Sequence, residues 1–100
     1  MALTHVAKTS DIPEGKMLQV QVGENQVNIC NVGGKFHAVG DVCPHSGGPL
    51  SEGELEDCVV TCPWHGKQFD VTTGRGVSDA GLDVSVYPLE VRDGDIFVDV

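Results

Sequence analysis

Between Met17 and Gly40 the chain reads "MLQVQV", "GEN", "QVNICNV", "GG" and "KFHAVG". Alternate residues of an extended strand point to one face, so this period of two reads as strands. Met17, Leu18, Val20 and Val22 carry it in the first run, and Val27, Ile29 and Asn31 mark one face of the second. Phe36 and Ala38 mark one face of the third. Turns this short join neighbouring antiparallel strands. The pattern recurs along the chain. "LTHVAKT" leads into the turn "DIPEG", and "ELEDCVVTC" and "KQFDVTT" read as further single strands. "VSVYPLEV" meets "IFVDV" across "RDGD", and an Asp-Gly pair between two such runs is a strong hairpin signal. No ten-residue window has a helical stripe. "LSEGELED" comes closest, and Gly53 weakens it. The expected fold is all-β, an antiparallel sandwich or small barrel in one domain over residues 1–100. Residues from about 41 to 73 would form hairpin loops at one end.

Those loops hold the unusual chemistry. "CPHSGGPL" starts at Cys43 and "CPWHGK" at Cys62, so two of the four cysteines and two of the four histidines form close pairs. One residue separates Cys43 from His45, two separate Cys62 from His65, and sixteen lie between His45 and Cys62. Thiolate and imidazole are the side chains that bind zinc and iron–sulfur centres best. A structural zinc finger usually puts two cysteines in one pair and two histidines in the other, spaced by two to four residues. Here each loop mixes the two, which suits a centre of two metal atoms. In a [2Fe–2S] centre with two histidines on one iron, each loop sends its cysteine to one metal and its histidine to the other. A purely structural zinc module is the competing reading.

Composition narrows the partners. Fifteen acidic against six basic residues give a formal charge of −9, which argues against nucleic acid, whose phosphates call for a basic footprint. An acidic surface can steer a basic protein partner, or serve solubility alone. No stretch approaches the ~20 apolar residues of a membrane span. "MALTHVAKTS" has no apolar run of signal-peptide length, so the expectation is a soluble, cytoplasmic protein. Cys30 and Cys58 stand in strand-like runs apart from the pairs and are read as free buried thiols. His5 and His37, also in strands, are read as ordinary surface or core histidines.

"C-P-H", sixteen residues, then "C-P-W-H-G" is similar to the C-x-H … C-x-x-H signature of the Rieske family. "DIPEG", "GGKFHAVGDVCPH", "PLSEGELED", "CPWHGKQFDVTTG" and "YPLEVRDGDIFV" also look like soluble Rieske ferredoxins. The resemblance implies one [2Fe–2S] cluster, with Cys43 and Cys62 on one iron and His45 and His65 on the other. It implies an antiparallel β fold with a small cluster-binding subdomain. It further implies an electron carrier rather than an enzyme. Such a carrier takes single electrons from a flavin NAD(P)H reductase to a terminal aromatic-ring-hydroxylating oxygenase, docking as a monomer around Pro44, His45, Ser46, Trp64 and His65. The small subunit of an assimilatory NAD(P)H nitrite reductase is the alternative. A mononuclear iron site of two histidines and a carboxylate, as an oxygenase itself needs, finds no second domain here.

High-potential relatives resemble "C-T-H-x-G-C" and "C-P-C-H-G-S-x-Y", with two extra cysteines joined in a disulfide and two hydroxyls bonded to the cluster. The corresponding positions here are Gly48, Trp64, Lys67 and Phe69. Fewer donors to the sulfurs stabilise the reduced state less, so the expected potential is near the low end of the Rieske range, about −150 mV. Trp64 is either a lid over the cluster or an anchor for a partner, and Lys67 is read as facing water. A third, covering loop would have its tip at Asp79, Ala80 and Gly81.

Overall fold

A computed structural model describes residues 3–43, 47–64, 66–77 and 83–99. Ten strands run through them: β1 (Leu3–Lys8), β2 (Met17–Val22), β3 (Asn25–Val32), β4 (Lys35–Gly40), β5 (Glu54–Glu56), β6 (Val59–Thr61), β7 (Gln68–Asp70), β8 (Val86–Tyr87), β9 (Leu89–Arg92) and β10 (Asp95–Asp99). They pair antiparallel in three sheets, ordered β1–β10–β9, β2–β3–β4–β8 and β5–β6–β7. The all-β expectation is met. Helical structure among the described residues is limited to two single 3₁₀ turns, Thr9–Asp11 and Leu50–Glu52.

The alternation of β2 to β4 explains the layering. Val27 and Ile29 of β3 and Ala38 of β4 face the three-stranded sheet of β1, β9 and β10, where they pack with Ala7, Ile96 and Val98. Cys30 and Val39 join a second core instead, with Cys43, Leu50, Val60, Cys62 and Phe69. The four-stranded sheet is thus covered on both sides, and Val27 to Asn31 are buried without a break. Each fully buried valine, isoleucine or phenylalanine contributes about 1.5–3 kcal/mol. One side of the central sheet holds the sandwich together, and the other carries the loops.

Two expectations need correction. "ELEDCVVTC" is a hairpin, β5 and β6, turning at Asp57 and Cys58, with Asp57 at φ 53°. Aspartate tolerates this left-handed backbone better than most residues, so no glycine marks the turn. "VSVYPLEV" is two strands in different sheets. Pro88 has no N–H for a ladder, and the chain crosses there from β8, paired with β4, to β9, paired with β10. The Asp93–Gly94 hairpin forms as expected, with φ of 50° and 81°, the two left-handed residues of a type I′ turn.

Candidate metal centre

The two cysteine loops have the same construction. In the first, Val42 bridges Pro49, the Cys43 amide donates to the Gly48 carbonyl at 2.9 Å, and the Gly47 amide donates to the Cys43 carbonyl at 2.8 Å. In the second, Thr61 pairs with Gln68, the Cys62 amide donates to the Lys67 carbonyl at 2.7 Å, and the Gly66 amide donates to the Cys62 carbonyl at 3.1 Å. Gly47 and Gly66 close the two turns with φ of 77° and 74°, a backbone that favours glycine. In both loops three residues separate the cysteine from this glycine. The unequal Cys–His spacings therefore belong to loops of equal length, with the histidine third from the start in one and fourth in the other. His45 and His65 themselves lie outside the described residues, as do Pro44 and Ser46.

Cys43 and Cys62 are each 1 % exposed and sit in one core cluster between the central sheet and the small β5–β6–β7 sheet. Among the described residues all four cysteines are free of disulfides. A network that sequence reasoning missed fixes the first loop. Asp41, fully buried two residues before Cys43, accepts from the Ser51 amide at 2.7 Å, the Ser51 hydroxyl at 2.9 Å and the Gln19 side-chain amide. Its own amide donates to the Gln26 carbonyl at 2.9 Å, and its carbonyl accepts from the Leu50 amide at 2.8 Å. The outgoing and returning arms of the loop are thereby tied to each other and to the sheet. An aspartate beside "VCPH" carries no spacing signal, because its role depends on what folds over it.

The neighbouring residues sort themselves by burial. Phe69 is 1 % exposed within the same core, and Lys67 is half-buried. Trp64 is 59 % exposed, yet its ring lies against Gly48. Cys30 is buried as expected, and burial first, then the nearby Asp41 charge, push its thiol up to about 12. It stays protonated at neutral pH. Cys58 is only half-buried, because it stands in the β5–β6 turn. His5 is exposed and bonds Asp95 at 3.1 Å. His37 is held below the usual histidine range, by burial and then by Lys35, with Asp70 opposing. The third loop's expected tip, Asp79 to Gly81, lies outside the described residues. Its neck is closed by the Val84 amide on the Gly74 carbonyl at 2.7 Å and the Gly76 amide on Asp83 at 3.1 Å.

Two buried cysteines in one core cluster, on loops of matched construction, are the donor set that a centre held by two thiolates requires, and their chemistry fits such a group. Comparison with known proteins agrees. The Rieske [2Fe-2S] domain model matches residues 2–88. The chain is 38 % identical over 101 positions to the ferredoxin component of biphenyl 2,3-dioxygenase from Rhodococcus jostii (strain RHA1), covering 100 % of this chain and 94 % of that protein. A chain from the complex of reduced oxygenase and oxidized ferredoxin in carbazole 1,9a-dioxygenase superposes with a TM-score of 0.90 at 35 % identity, over 96 % of this chain and 100 % of that one. A nitrite reductase small subunit from Mycobacterium tuberculosis, described as NADH-dependent, superposes at 0.89 with 28 % identity, over 97 % and 93 % of the two chains. With the match running through both loops and the sheets beneath them, the chain belongs to the Rieske [2Fe–2S] domain family, whose cofactor is a single two-iron, two-sulfide cluster.

Proposed function

We propose that this protein is the ferredoxin of a ring-hydroxylating oxygenase system, carrying single electrons from a flavin NAD(P)H reductase to a terminal oxygenase. The carrying observation is the pair of equal loops that bring Cys43 and Cys62 into one buried cluster. In this reading Cys43 and Cys62 hold one iron, and His45 and His65 the other. When bound, the cluster takes up and releases one electron. The chain's residues orient the centre, keep its cysteine side dry and present it at one end. The full-length likeness to the biphenyl dioxygenase ferredoxin component supports the carrier role over a catalytic one.

Residues 1–100 act in this reading as one monomeric domain, with 41–73 as its cluster-binding part. The shared core of Cys30 and Val39 with Cys43, Val60 and Cys62 supports that unity. Docking takes place around His45, His65 and Trp64, and the exposure of Pro63, Trp64 and Gly66 is consistent with it. No helix of the described residues is long and apolar enough to cross a membrane, and the place of action is the cytoplasm. The acidic surface leaves nucleic acid out of the scheme.

Spectra of ligand variants, reconstitution and a redox titration test the assignment. His65→Cys is expected to keep the fold, alter the cluster's visible and EPR spectra and slow electron transfer. An unaltered spectrum sinks the ligand set, as would a Cys62→Ser protein with the native spectrum. Reconstitution with a reductase and an oxygenase should give reductant-dependent turnover that stops when this protein is left out. The likeness to a nitrite reductase small subunit favours a second reading, which predicts that the protein co-purifies with a nitrite-reducing large subunit and stimulates no oxygenase. A redox titration is expected to settle at about −150 mV, the low end of the Rieske range, and a midpoint above zero contradicts the low-potential assignment.

A further inference from the structure

Gly48 is a glycine for reasons of space. Its φ is not left-handed, so its backbone suits any residue. A Cβ placed there would lie 2.9 Å from Cδ2 and 3.0 Å from Cγ of Trp64, and 3.3 Å from the Cys62 sulfur. Gly47 and Gly66 are the opposite case, with left-handed φ and nothing within 4 Å of a Cβ. The position equivalent to Gly48 in the second loop is Lys67, since each carbonyl receives the amide of its loop's cysteine. The fold therefore admits a long side chain at that point, and at residue 48 the indole of Trp64 stands nearest in the way, with the Cys62 sulfur behind it. We propose that Trp64 is a positioning residue of the centre. Its inner face, seated on Gly48, clasps the two loops without a covalent crosslink and screens the Cys62 sulfur from water. At 59 % exposure the outer face stays open to solvent, so the clasp is separate from any partner contact. Water near a ligand sulfur alters the hydrogen bonding that tunes such centres and gives chelators and oxidants a way in.

The clasp rests on Cys62 as a ligand, which the Cys62→Ser spectrum tests separately. Its own test is a cycle of Gly48→Ala, Trp64→Ala and the double variant in the cluster-loaded protein, read by bleaching of the visible spectrum under chelator. Each single change is expected to speed bleaching roughly tenfold, the lower end of what loss of a supporting residue costs a metal site. The double variant is expected to bleach no faster than Trp64→Ala alone, because the alanine at 48 no longer meets an indole. Multiplying rates overturn the proposal. Trp64 is the only tryptophan, so its emission reads the clasp directly. Gly48→Ala should shift it to the red, and an unshifted spectrum also overturns the proposal. If Gly48→Ala holds no cluster, recovery in the double variant supports the clasp and continued failure refutes it.

Discussion

Asp41 and Cys30 are single buried groups whose surroundings govern loop order and stability near the proposed centre. Asp41 has no exposure and takes hydrogen bonds from Ser51 twice and from Gln19. Asp41→Ala strands those donors, so it should destabilise the protein by about 2–4 kcal/mol and loosen the first loop. A lowered melting temperature with faster cluster loss is the expected pair of results, and a change under half a kcal/mol would deny the network its role. Cys30 sets a pH limit. Its thiol titrates at about 12 in the folded protein against 9.0 for an ordinary cysteine. Across that interval the unfolded chain releases a proton that the folded one keeps. The stabilisation is therefore fully present below 9.0 and falls as pH rises, by up to about 1.4 kcal/mol per pH unit. Melting curves of the wild type and Cys30→Ala should converge as the solution is made alkaline. Parallel curves would remove Cys30 from the account.

At the scale of elements, the β5–β6 hairpin depends on Gly53, which reads in the sequence only as a weak point in a possible helix. It follows the Leu50–Glu52 turn with φ −84°, so its backbone is ordinary. A Cβ there would stand 1.8 Å from the Thr61 carbonyl oxygen, and Thr61 immediately precedes Cys62. Backbone does not yield as a flexible side chain does. Gly53→Ala should therefore cost more than about 2 kcal/mol and shift the second loop. Loss of the native cluster spectrum or of folded yield at growth temperature is the expected sign, and a stable native-like variant would count against the packing. The same contrast separates what was legible from what was not. Alternation and turn residues are local, so β2, β3, β4 and the Asp93–Gly94 hairpin could be read directly, whereas an association of Cys43 with Cys62, which share one buried core, was expected only from the family resemblance. The turn at Asp57 and Cys58 has no glycine or proline to announce it. The break at Pro88 becomes clear only when β8 and β9 are seen in different sheets. Gly53, Gly48 and Asp41 owe their roles to neighbours distant in the chain, and the two loops prove equal in length only through their hydrogen bonds.

For the molecule as a whole, the charge of −9 is not spread evenly around the site. The described residues at the loop tips, Gly47, Pro63, Trp64 and Gly66, are exposed and uncharged. Beside them Glu52, Glu54, Glu56 and Asp57 are exposed along the β5 edge of the small sheet. If these tips are the proposed contact face, acids at its margin favour steering over tight binding, since rim charges act mainly on association rate. A competing role is edge protection, because charges on an outer strand discourage pairing with other chains. The two roles differ in their response to salt. If the acids steer the proposed reductase through a basic patch, the second-order rate of ferredoxin reduction at low ionic strength should fall steeply as salt is added. Screening reaches about 8 Å at physiological ionic strength, short enough to mute such steering. Glu54→Gln with Glu56→Gln should then slow reduction several-fold at low salt, flatten the salt dependence and leave the cluster spectrum untouched. If the acids only guard the edge, the reduction rate stays the same and light scattering shows self-association of the variant. Stopped-flow reduction across a salt series, beside scattering on the same samples, separates the two. Steering requires the rate to move while the protein remains monomeric.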